Sequence, residues 1–529
     1  MTARAMPVPA VLLLAAAPLA GVQWLEGGEV GRTIDEWRVE WGVPGAAVGV
    51  VRDGEVLLLE GFGVRRIGGN EPVDARTLFE FGSASKTFTA TLAALAVESG
   101  LLEWETPLID LLSGLRLGDP WIEREITLLD ALTHGTGYAR ADLLWLGGAT
   151  PEEILRRIRH VPASGRFRRD FAYSNLMYIL AGEALGRAFG GGWERALADR
   201  ITGPLGMHHT LAREVQGLGR KPGDHDGSAG DRAGEAGDPA GEAGAPENAA
   251  RPHVRLGDSL IVATTPATHV GPAGGIRSSV EDLAAWMRFH LDAGGEVAAM
   301  REPRTPLPVE AFGAQYARAS RLSYGAGWFV SDYAGRPMVD HIGGHGGMVA
   351  NVTLLPEEGI GVAVLTNHGD NLLPVAVTYH ILDILLGLDP RPWNRTMIDF
   401  WEGVRAMRDA GAEAPGGARV EGAPSRLPAA DYGGRYASPA YGDLDVEWDG
   451  EGLRLRYGAG LHGRLSHWHH DTFRVTWADP GVRAILGRGF VSFHLDMGGR
   501  PSGVTMTGFQ GERVEAARVD DDPGGGPRG

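Results

Sequence analysis

Ser83, Ala84, Ser85 and Lys86 are the residues of this chain whose types and spacing point most directly to chemistry. A helical pattern over residues 84–99 follows, so the spacing predicts that Ser83 and Lys86 lie one turn apart on the same helix face. A helix N-terminus also presents free N–H groups and a positive dipole end. Serine is a weak nucleophile that needs an adjacent base, and a buried lysine can supply one because desolvation lowers its pKa.

Lysine is rare in this chain, which makes its presence at position 86 informative. It occurs only at Lys86 and Lys221, within a combined lysine and arginine count of 50. Lys221 lies in a segment with no apolar bulk, which leaves Lys86 as the lysine of the predicted fold. Arginine cannot lose its proton at an accessible pH, so a lysine retained here indicates a role that needs a neutral amine.

Two further motifs follow in chain order. Tyr173 and Asn175 stand in AYSN, and His341 and Gly343 stand in DHIGG. With FGSASKTFTA, they resemble the motifs of the penicillin-recognising serine hydrolases, which include class C β-lactamases, D,D-carboxypeptidases, D-amino-acid peptidases and related esterases. LLDALTHGTGY, GPLGMHHT and GPAGGIRSSVEDLAAWM agree, so the resemblance covers about residues 30–390.

The resemblance implies a role for each matching residue. Ser83 would attack a carbonyl carbon and form an acyl-enzyme. Lys86 and Tyr173 would form the proton-transfer pair, and which of them is the base stays open. Asn175 would hydrogen-bond Lys86 and the substrate amide. The structural alternatives are an N-cap serine with a surface lysine, a core aromatic for Tyr173 and a helix cap for Asn175.

The third motif would complete the substrate side of the site. The resemblance implies that the backbone N–H groups of Ser83 and Gly344 form an oxyanion hole, and that His341 and Gly343 bind substrate. Many β-lactamases have lysine where this chain has His341. A neutral histidine supplies a hydrogen bond and a pH-dependent charge, so the departure favours ester or peptide substrates, including peptides with D-amino acids. The structural alternative is a strand histidine that faces solvent.

The elements that must position these residues predict an α/β fold of the α+β type. Residues 45–63 read as a hairpin around Asp53-Gly54, and residues 324–366 read as two more. The middle of the chain is mainly helical, and a further helix is predicted near 374–387. This order predicts one antiparallel sheet covered by helices, with a mainly helical subdomain.

The C-terminal part of the chain has a different texture. Residues 431–519 carry short alternating strands at regular spacing, which predict a small all-β, barrel-like domain. DYGGRYASPAYGDLDVEWDG and LSHWHHDTFRVTW resemble the lipocalin-like module appended to some of these hydrolases.

Local composition predicts the boundaries between the parts of the chain. One arginine precedes an apolar run of about ten residues, which indicates a signal peptide and a secreted or periplasmic protein; an uncleaved anchor is the alternative. The predicted parts are a signal peptide at 1–22, a hydrolase domain at 30–390, a disordered insertion at 217–250, a linker at 391–430, the β-domain at 431–519 and a tail at 520–529.

Several function classes are excluded or disfavoured. The absence of cysteine excludes disulfides, thiol nucleophiles and zinc–thiolate sites. A net charge of −17 argues against nucleic acid as a partner. His467 and His469 would share a strand face, but a metal needs more ligands, and His134 reads as structural. We expect no cofactor or metal, no further membrane span, and a small molecule or short peptide as the partner, with the oligomeric state open.

The predicted function is therefore a serine hydrolase that works through a Ser83 acyl-enzyme on peptide or ester substrates. A D,D-carboxypeptidase or a β-lactamase is the alternative within the same chemistry. An alternative of another class is a non-catalytic penicillin-binding or sensor protein that keeps the fold.

Overall fold

The computed structural model describes residues 28–138, 140–212, 248–263, 269–411, 418–507 and 512–519. The predicted signal peptide and tail lie outside these residues, as does most of the predicted insertion.

The N-terminal strands fall into one large sheet and two small ones. The strands to residue 366 are β1 (Gly45–Arg52), β2 (Glu55–Gly63), β3 (Phe79–Glu80), β4 (Leu211–Ala212), β5 (His253–Leu256), β6 (Ser259–Val262), β7 (Ile276–Ser278), β8 (Thr305–Leu307), β9 (Leu322–Tyr324), β10 (Phe329–Tyr333), β11 (Arg336–His345), β12 (Met348–Leu355) and β13 (Ile360–Thr366). The large sheet is antiparallel, in the order β2-β1-β13-β12-β11-β10-β9-β8. The strands β3, β7 and β4 form one small sheet, and β5 and β6 form the other.

Helices pack on both sides of the large sheet. They are α1 (Glu29–Glu40), α2 (Ser85–Glu98), α3 (Leu108–Leu111), α4 (Pro120–Glu125), α5 (Leu128–Leu132), α6 (Asp142–Leu146), α7 (Pro151–Arg157), α8 (Asn175–Ala188), α9 (Trp193–Leu197), α10 (Gly271–Gly274), α11 (Val280–Asp292), α12 (Gly295–Ala299), α13 (Leu373–Leu386) and α14 (Trp393–Gly411).

The sheet is apolar on both faces, which is why its strands read as nearly continuous hydrophobic runs. Every residue of β12 and β13 is buried. Successive residues of β1 point to opposite cores. Ala47 and Val51 pack with the helical region, and Val48 and Val50 pack with α1, α13 and α14. The predicted antiparallel sheet covered by helices is confirmed.

The first predicted hairpin is confirmed in detail. β1 and β2 pair around Asp53 and Gly54, whose φ angles are 49° and 79°. Two successive residues with positive φ are what a tight hairpin turn of this hand requires, which explains the Asp-Gly pair.

Helix α2 carries the predicted Ser-x-x-Lys motif into the middle of the molecule. The helix ends before Gly100, whose φ of 71° only glycine adopts freely. Phe88 is buried, and its ring stacks on Trp286 at a centroid distance of 3.8 Å. The helix is buried around nearly its whole circumference, because it lies between the sheet and the helical region.

The predicted linker at 391–430 is wrong over its first half. Residues 393–411 form helix α14, and Trp393 and Met397 are fully buried in the core under the sheet. Asn394 accepts a hydrogen bond from Trp41 Nε1 at 2.7 Å. The helix is therefore part of the hydrolase unit, and only the residues after it lead to the β-domain.

The predicted insertion at 217–250 ends earlier than expected. Leu78 N donates to Asn248 O at 3.0 Å, and Ala250 N donates to Leu78 O at 2.9 Å. These bonds tie residues 248–250 to the strand segment beside β3, and the Asn248 side chain adds hydrogen bonds to Thr77 and Asp74, contacts that composition does not reveal. Residues 217–247 lie outside the described part.

The C-terminal region is a closed eight-stranded barrel, which confirms the predicted β-domain. Its strands are β14 (Gly434–Ser438), β15 (Gly442–Trp448), β16 (Leu453–Tyr457), β17 (Leu461–His469), β18 (Thr472–Trp477), β19 (Gly489–Leu495), β20 (Pro501–Thr507) and β21 (Arg513–Val519). Pairing of β14 with β21 closes the barrel. Alternate residues of β16, such as Leu453 and Leu455, fill the interior. A helix, α15 (Pro480–Leu486), connects β18 to β19.

The barrel docks tightly against helix α6 of the hydrolase unit. Tyr457 Oη donates to Leu143 O at 2.9 Å, and Ala459 N donates to Gly147 O at 3.0 Å. A Cβ atom added at Gly458 would lie 1.9 Å from Gly147 O, so this approach requires glycine. The two units therefore share a packed interface.

Candidate active site

Ser83 lies in a short 3-10 turn, Gly82–Ala84, between β3 and α2. Gly82 has a φ of 54°, and a Cβ atom added there would lie 2.8 Å from Gly344 N. The turn is thus pressed against β11, which also requires glycine at 82. This packing holds the Ser83 side chain at the wall of a cavity of about 910 Å³.

Lys86 is the second residue of α2, about one turn after Ser83, and is fully buried. Its Nζ atom donates to Asn175 Oδ1 at 2.7 Å and to Ala273 O at 2.7 Å. It also lies 4.8 Å from the centre of the Tyr173 ring. Burial lowers the pKa of Lys86 well below its ordinary value, Arg140 acts in the same direction and Asp142 opposes both. A buried amine with neutral oxygen acceptors is suited to give and take a proton.

Tyr173 connects Lys86 to the nucleophile. Burial raises the pKa of the Tyr173 phenol above its ordinary value, and the nearby Ser83 side chain acts in the opposite direction. Its ring packs against the ring of His134 at 4.3 Å. The phenol is therefore neutral in the resting site and can act as a proton relay. The sequence predictions for Ser83, Lys86 and Tyr173 thus converge on one place.

Asn175 is the first residue of α8, and its side chain turns toward Lys86. Ser174 caps the helix instead, since its hydroxyl accepts from Met177 N. Asn175 Nδ2 donates to Asp142 Oδ1 at 2.9 Å. The predicted contact with Lys86 is present, whereas Nδ2 binds Asp142, and the contact with a substrate amide stays a prediction.

His341 lies on β11 and lines the cavity, but neither of its ring nitrogens is free to bind substrate. Its Nε2 accepts from Tyr324 Oη at 3.1 Å, and its Nδ1 donates to Ile342 O at 2.8 Å. Burial and the nearby Lys86 lower the pKa of His341 to about 3. The ring is neutral, so the expected pH-dependent charge does not arise, and both ring nitrogens are already hydrogen-bonded within the protein.

The glycines of the third motif let β11 approach the nucleophile turn. A Cβ atom added at Gly343 would lie 2.0 Å from Phe81 O and 2.9 Å from Ala84 N. Gly344 follows directly, and its backbone nitrogen is close to the turn that carries Ser83. The two N–H groups predicted as the oxyanion hole therefore lie on adjacent backbone segments at the cavity wall.

The remaining histidines of the sequence analysis have structural contacts. His134 has a φ of 56°, and its Nδ1 accepts from Ser174 N at 3.1 Å, so it supports the Tyr173 segment. His467 Nε2 donates to His470 O at 2.8 Å, and His469 Nδ1 accepts from Val420 N at 3.1 Å. Across the described ranges, no three histidine or acidic side chains are grouped as metal ligands.

Three further residues line the cavity and were not predicted from the sequence: Asp142, Trp145 and His345. Trp145 Nε1 donates to the same Asp142 oxygen as Asn175, at 2.7 Å. His345 Nδ1 is 2.7 Å from Glu80 Oε2 and also lines the cavity. His345 stands two residues after Gly343, so continuation of the third motif could have revealed it. Nothing in the spacing of ADLLW marks Asp142.

The barrel supplies a wall of the same cavity. Leu461 and four residues of α15 line it together with residues of the hydrolase unit. The charged residues of the cavity wall comprise four arginines and two aspartates: Arg140, Arg255, Arg405, Arg408, Asp142 and Asp370. The wall thus carries net positive charge in an acidic protein, so the cavity favours anionic groups.

In the described part of the chain, we find no helix with the length and apolar character needed to cross a membrane.

Both the hydrolase unit and the barrel match models of known protein families. A family model described as "Beta-lactamase" matches residues 30–385, and one described as "Domain of unknown function (DUF3471)" matches residues 418–518. An unguisins hydrolase from Aspergillus campestris is 27% identical over 80% of this chain and 77% of its own length. Penicillin-binding protein 4 from Amycolatopsis lactamdurans is 28% identical over 63% of this chain and 84% of its own.

A solved structure has the same fold over nearly the whole chain. The octameric penicillin-binding protein homologue from Pyrococcus abyssi matches with a TM-score of 0.57 and 22% identity, over 93% of this chain and 100% of that one. The family match covers both ends of the large sheet and every predicted catalytic residue. The chain therefore belongs to the β-lactamase family, whose fold is that of serine hydrolases.

Proposed function

We propose that this protein hydrolyses peptide or ester bonds through an acyl-enzyme on Ser83. The observation that carries the proposal is the environment of Lys86. It is buried, it binds neutral oxygen atoms of Asn175 and Ala273, and it lies 4.8 Å from the ring centre of Tyr173, which lines the same cavity as Ser83. Among the described residues, no carboxylate makes an ion pair with Lys86, so its charge is not fixed by a partner.

Acylation follows from this arrangement. Ser83 Oγ attacks the substrate carbonyl carbon, and its proton passes to the pair formed by Tyr173 and Lys86. Because the phenol is neutral at rest, Lys86 is the group with capacity to accept the proton, directly or through Tyr173. The tetrahedral intermediate expels the amine or alcohol, which takes the same proton as it leaves.

Deacylation repeats the sequence with water. The pair accepts a proton from the attacking water, the carbonyl oxygen again becomes negative, and the Ser83 ester bond breaks with return of the proton to Oγ. Backbone N–H groups of Ser83 and Gly344 would stabilise the oxyanion in both halves, where removal of one donor typically costs about 3–4 kcal/mol of barrier.

The cavity favours a substrate that is mostly apolar and carries an anionic group. Its volume of about 910 Å³ is near the upper end of small-molecule sites and holds a short peptide. Arg255, Arg405 and Arg408 lie on its wall with Asp370, which pairs with the latter two. A carboxylate on the substrate would find net positive charge there. Peptides with D-amino acids belong to the proposed class.

A β-lactamase or D,D-carboxypeptidase activity is the second candidate, and the family match favours it. The cavity places a cation near the nucleophile for a β-lactam carboxylate, since the Arg140 guanidinium is 5.6 Å from the Tyr173 ring. His341 cannot take that role, because its nitrogens are occupied and it is neutral.

Export from the cytoplasm is part of the proposal, because residues 1–22 carry the signal-peptide pattern. Sequencing the N-terminus of protein recovered outside the cytoplasm tests it. Protein retained inside with its first residues intact contradicts it.

Labelling with an active-site probe tests the catalytic proposal. The wild type is incubated with a fluorophosphonate and, separately, with a labelled penicillin, and the adduct is located by mass spectrometry. We expect a fluorophosphonate adduct on Ser83 and no turnover by Ser83→Ala, a loss of at least about 10³-fold. Penicillin labelling with turnover would favour the β-lactamase alternative.

Ser85→Ala is the matched control, because Ser85 is buried and accepts a hydrogen bond from Ile276 N rather than facing the cavity. It should keep labelling and turnover. A folded Ser83→Ala variant that keeps a tenth of the wild-type rate would contradict the nucleophile assignment. A wild type labelled by neither probe would favour a non-catalytic binder. Paired esters, D,L-peptides and a D-Ala-D-Ala peptide then define the substrate.

A further inference from the structure

Asp142 is buried at the start of helix α6 and is the hub of a hydrogen-bond chain that ends at Lys86. Its Oδ1 accepts from Asn175 Nδ2 and from Trp145 Nε1, and its Oδ2 is 3.4 Å from Arg140. Asn175 in turn accepts from Lys86 Nζ. No motif of the sequence includes Asp142, and the catalytic steps above do not use it.

An ionised carboxylate only accepts hydrogen bonds, so Asp142 decides which end of the Asn175 amide faces Lys86. Because Nδ2 is drawn to Asp142, Oδ1 must point to Nζ. With the amide reversed, two donors would oppose each other at Lys86. The geometry of the lysine therefore depends on a residue that does not touch it.

Barrel residues hydrogen-bond the backbone next to Asp142. Glu512 Oε2 accepts from Leu143 N at 3.0 Å, and Tyr457 Oη donates to Leu143 O at 2.9 Å. Both contacts fall on the residue that follows Asp142. At the other end of the helix, Ala459 N donates to Gly147 O. Helix α6 is thus fixed at both ends by barrel residues.

We propose that Asp142 is a positioning residue that orients Asn175 and adjusts by its charge how readily Lys86 gives up its proton, and that the barrel keeps Asp142 in place. This inference rests on the proposed function, since it assigns Lys86 a proton-transfer role. It gives the C-terminal domain a part in the chemistry through the Leu143 contacts.

Six charged or titratable groups surround Lys86, and Asp142 is the one among them that supplies negative charge. The groups are Asp142, Arg140, Tyr173, Tyr178, His134 and His341. Burial lowers the pKa of both histidines, so they are neutral, and it raises the pKa of both tyrosines, so they are neutral as well. Arg140 is positive and opposes Asp142.

The test compares Asp142→Asn and Asp142→Ala by acylation rate against pH, with thermal unfolding to confirm folding. The Asp142→Asn amide can still accept from Asn175 and Trp145, but the charge is gone. Lys86 should then lose its proton more easily, so the acid limb moves to lower pH. We expect the ratio of rates at pH 6 and pH 9 to rise at least about threefold. Asp142→Ala should move the acid limb in the same direction and, because it also removes the acceptor for Asn175, lower the rate at the high-pH plateau about 10²-fold.

Asp130→Asn is the matched control. Asp130 is a buried carboxylate of the same helical region, but it binds Arg168 and caps α5. It should lower thermal stability without moving the pH profile. A folded Asp142→Asn variant whose profile matches wild type would overturn the charge role. A profile moved equally by Asp130→Asn would reduce Asp142 to a folding residue.

Two further variants test the barrel contact. Glu512→Gln keeps an acceptor for Leu143 N and should acylate like wild type, whereas Glu512→Ala should acylate more slowly by about tenfold. A folded Glu512→Ala variant at the wild-type rate would overturn the barrel part. If wild-type Ser83 is never acylated, the proposed function fails instead, and that result is visible before any of these variants is made.

Discussion

The hydrolase wall and the barrel wall of the cavity differ in the kind of side chains that form them. On the hydrolase side, each polar group is held by a second one, as Lys86 is by Asn175, and the backbone is packed so closely that Gly82 and Gly343 have no room for a side chain. On the barrel side, Leu461 and the α15 residues at the wall, among them Ile485, are apolar. Proton transfer depends on atomic positions, whereas apolar recognition tolerates small changes of shape. Under the proposed function, we therefore expect the hydrolase wall to perform the chemistry and the barrel wall to select the substrate.

Replacing Lys86 should have the largest effect, because it removes the proton acceptor from the catalytic wall. Lys86→Arg keeps a positive charge but cannot accept the Ser83 proton, so acylation should fall by about 10²–10⁴-fold. In the wild type, the rate should also fall toward acid pH as Lys86 becomes protonated. Stopped-flow acylation against pH, with circular dichroism for folding, measures both. A folded Lys86→Arg enzyme within about threefold of wild type would show that lysine serves only as a charge.

A change on the barrel wall should alter selection and leave the chemistry intact. Ile485→Ala shortens an apolar side chain at the cavity, so KM for a bulky apolar ester should rise by up to about tenfold, while acylation by a small fluorophosphonate is unchanged. Met497→Ala is the matched control, because Met497 is fully exposed on the barrel. If Ile485→Ala lost activity equally on bulky and small substrates, the proposed division of roles between the two walls would be wrong.

The smallest predicted effect concerns the seam between the units. Burial raises the pKa of Glu512 to about 7, with Asp142 acting in the same direction. An unfolded glutamate titrates near 4.5, so between about pH 4.5 and 7 the folded protein binds more protons and its stability falls as pH rises. The glutamine of Glu512→Gln cannot ionise, so the stability of this variant should not fall across this pH range. Its melting temperature should be roughly 2–4 °C above that of wild type at pH 8 and equal to it at pH 4.5.

Scanning calorimetry across that pH range measures the difference. Glu357→Gln, at an exposed glutamate after β12, is the control and should leave the wild-type slope in place. A Glu512→Gln curve parallel to wild type would mean that the carboxyl is solvated in the docked state.

Much of the catalytic site could be predicted from sequence because its groups recur at fixed spacings on regular elements. Ser83 and Lys86 are one helical turn apart, and His341 and Gly343 are alternate residues of one strand. Asp142 could not be predicted in this way, since its partner Asn175 meets it only after helices α6 and α8 pack, and its contact with Trp145, three residues along α6, gives no catalytic spacing. The same holds for the barrel wall, because nothing in one domain's sequence reports where another domain docks.

Two boundary predictions failed for different reasons. Helix α14 carries Trp393, Met397, Phe400 and Trp401 at helical spacing, so its signal was present, and the alanine- and glycine-rich stretch after it obscured it. The end of the insertion was not readable. Residues 248–250 are held by backbone bonds to Leu78 and by bonds of the Asn248 side chain to Thr77 and Asp74, partners about 170 residues away that composition does not reveal.

The pairing of β1 with β13 has a consequence for how the protein is made. Ala46 lies opposite Thr366 and Arg52 opposite Ile360, so an inner strand near the N-terminus finds its partner about 310 residues later. At a synthesis rate of about 5–20 residues per second, the apolar edge of β1 waits roughly 15–60 s on the ribosome before β13 exists. For that interval the nascent chain presents an unpaired hydrophobic strand, so we expect its yield in cells to depend on chaperones that cover such edges and on the pace of translation.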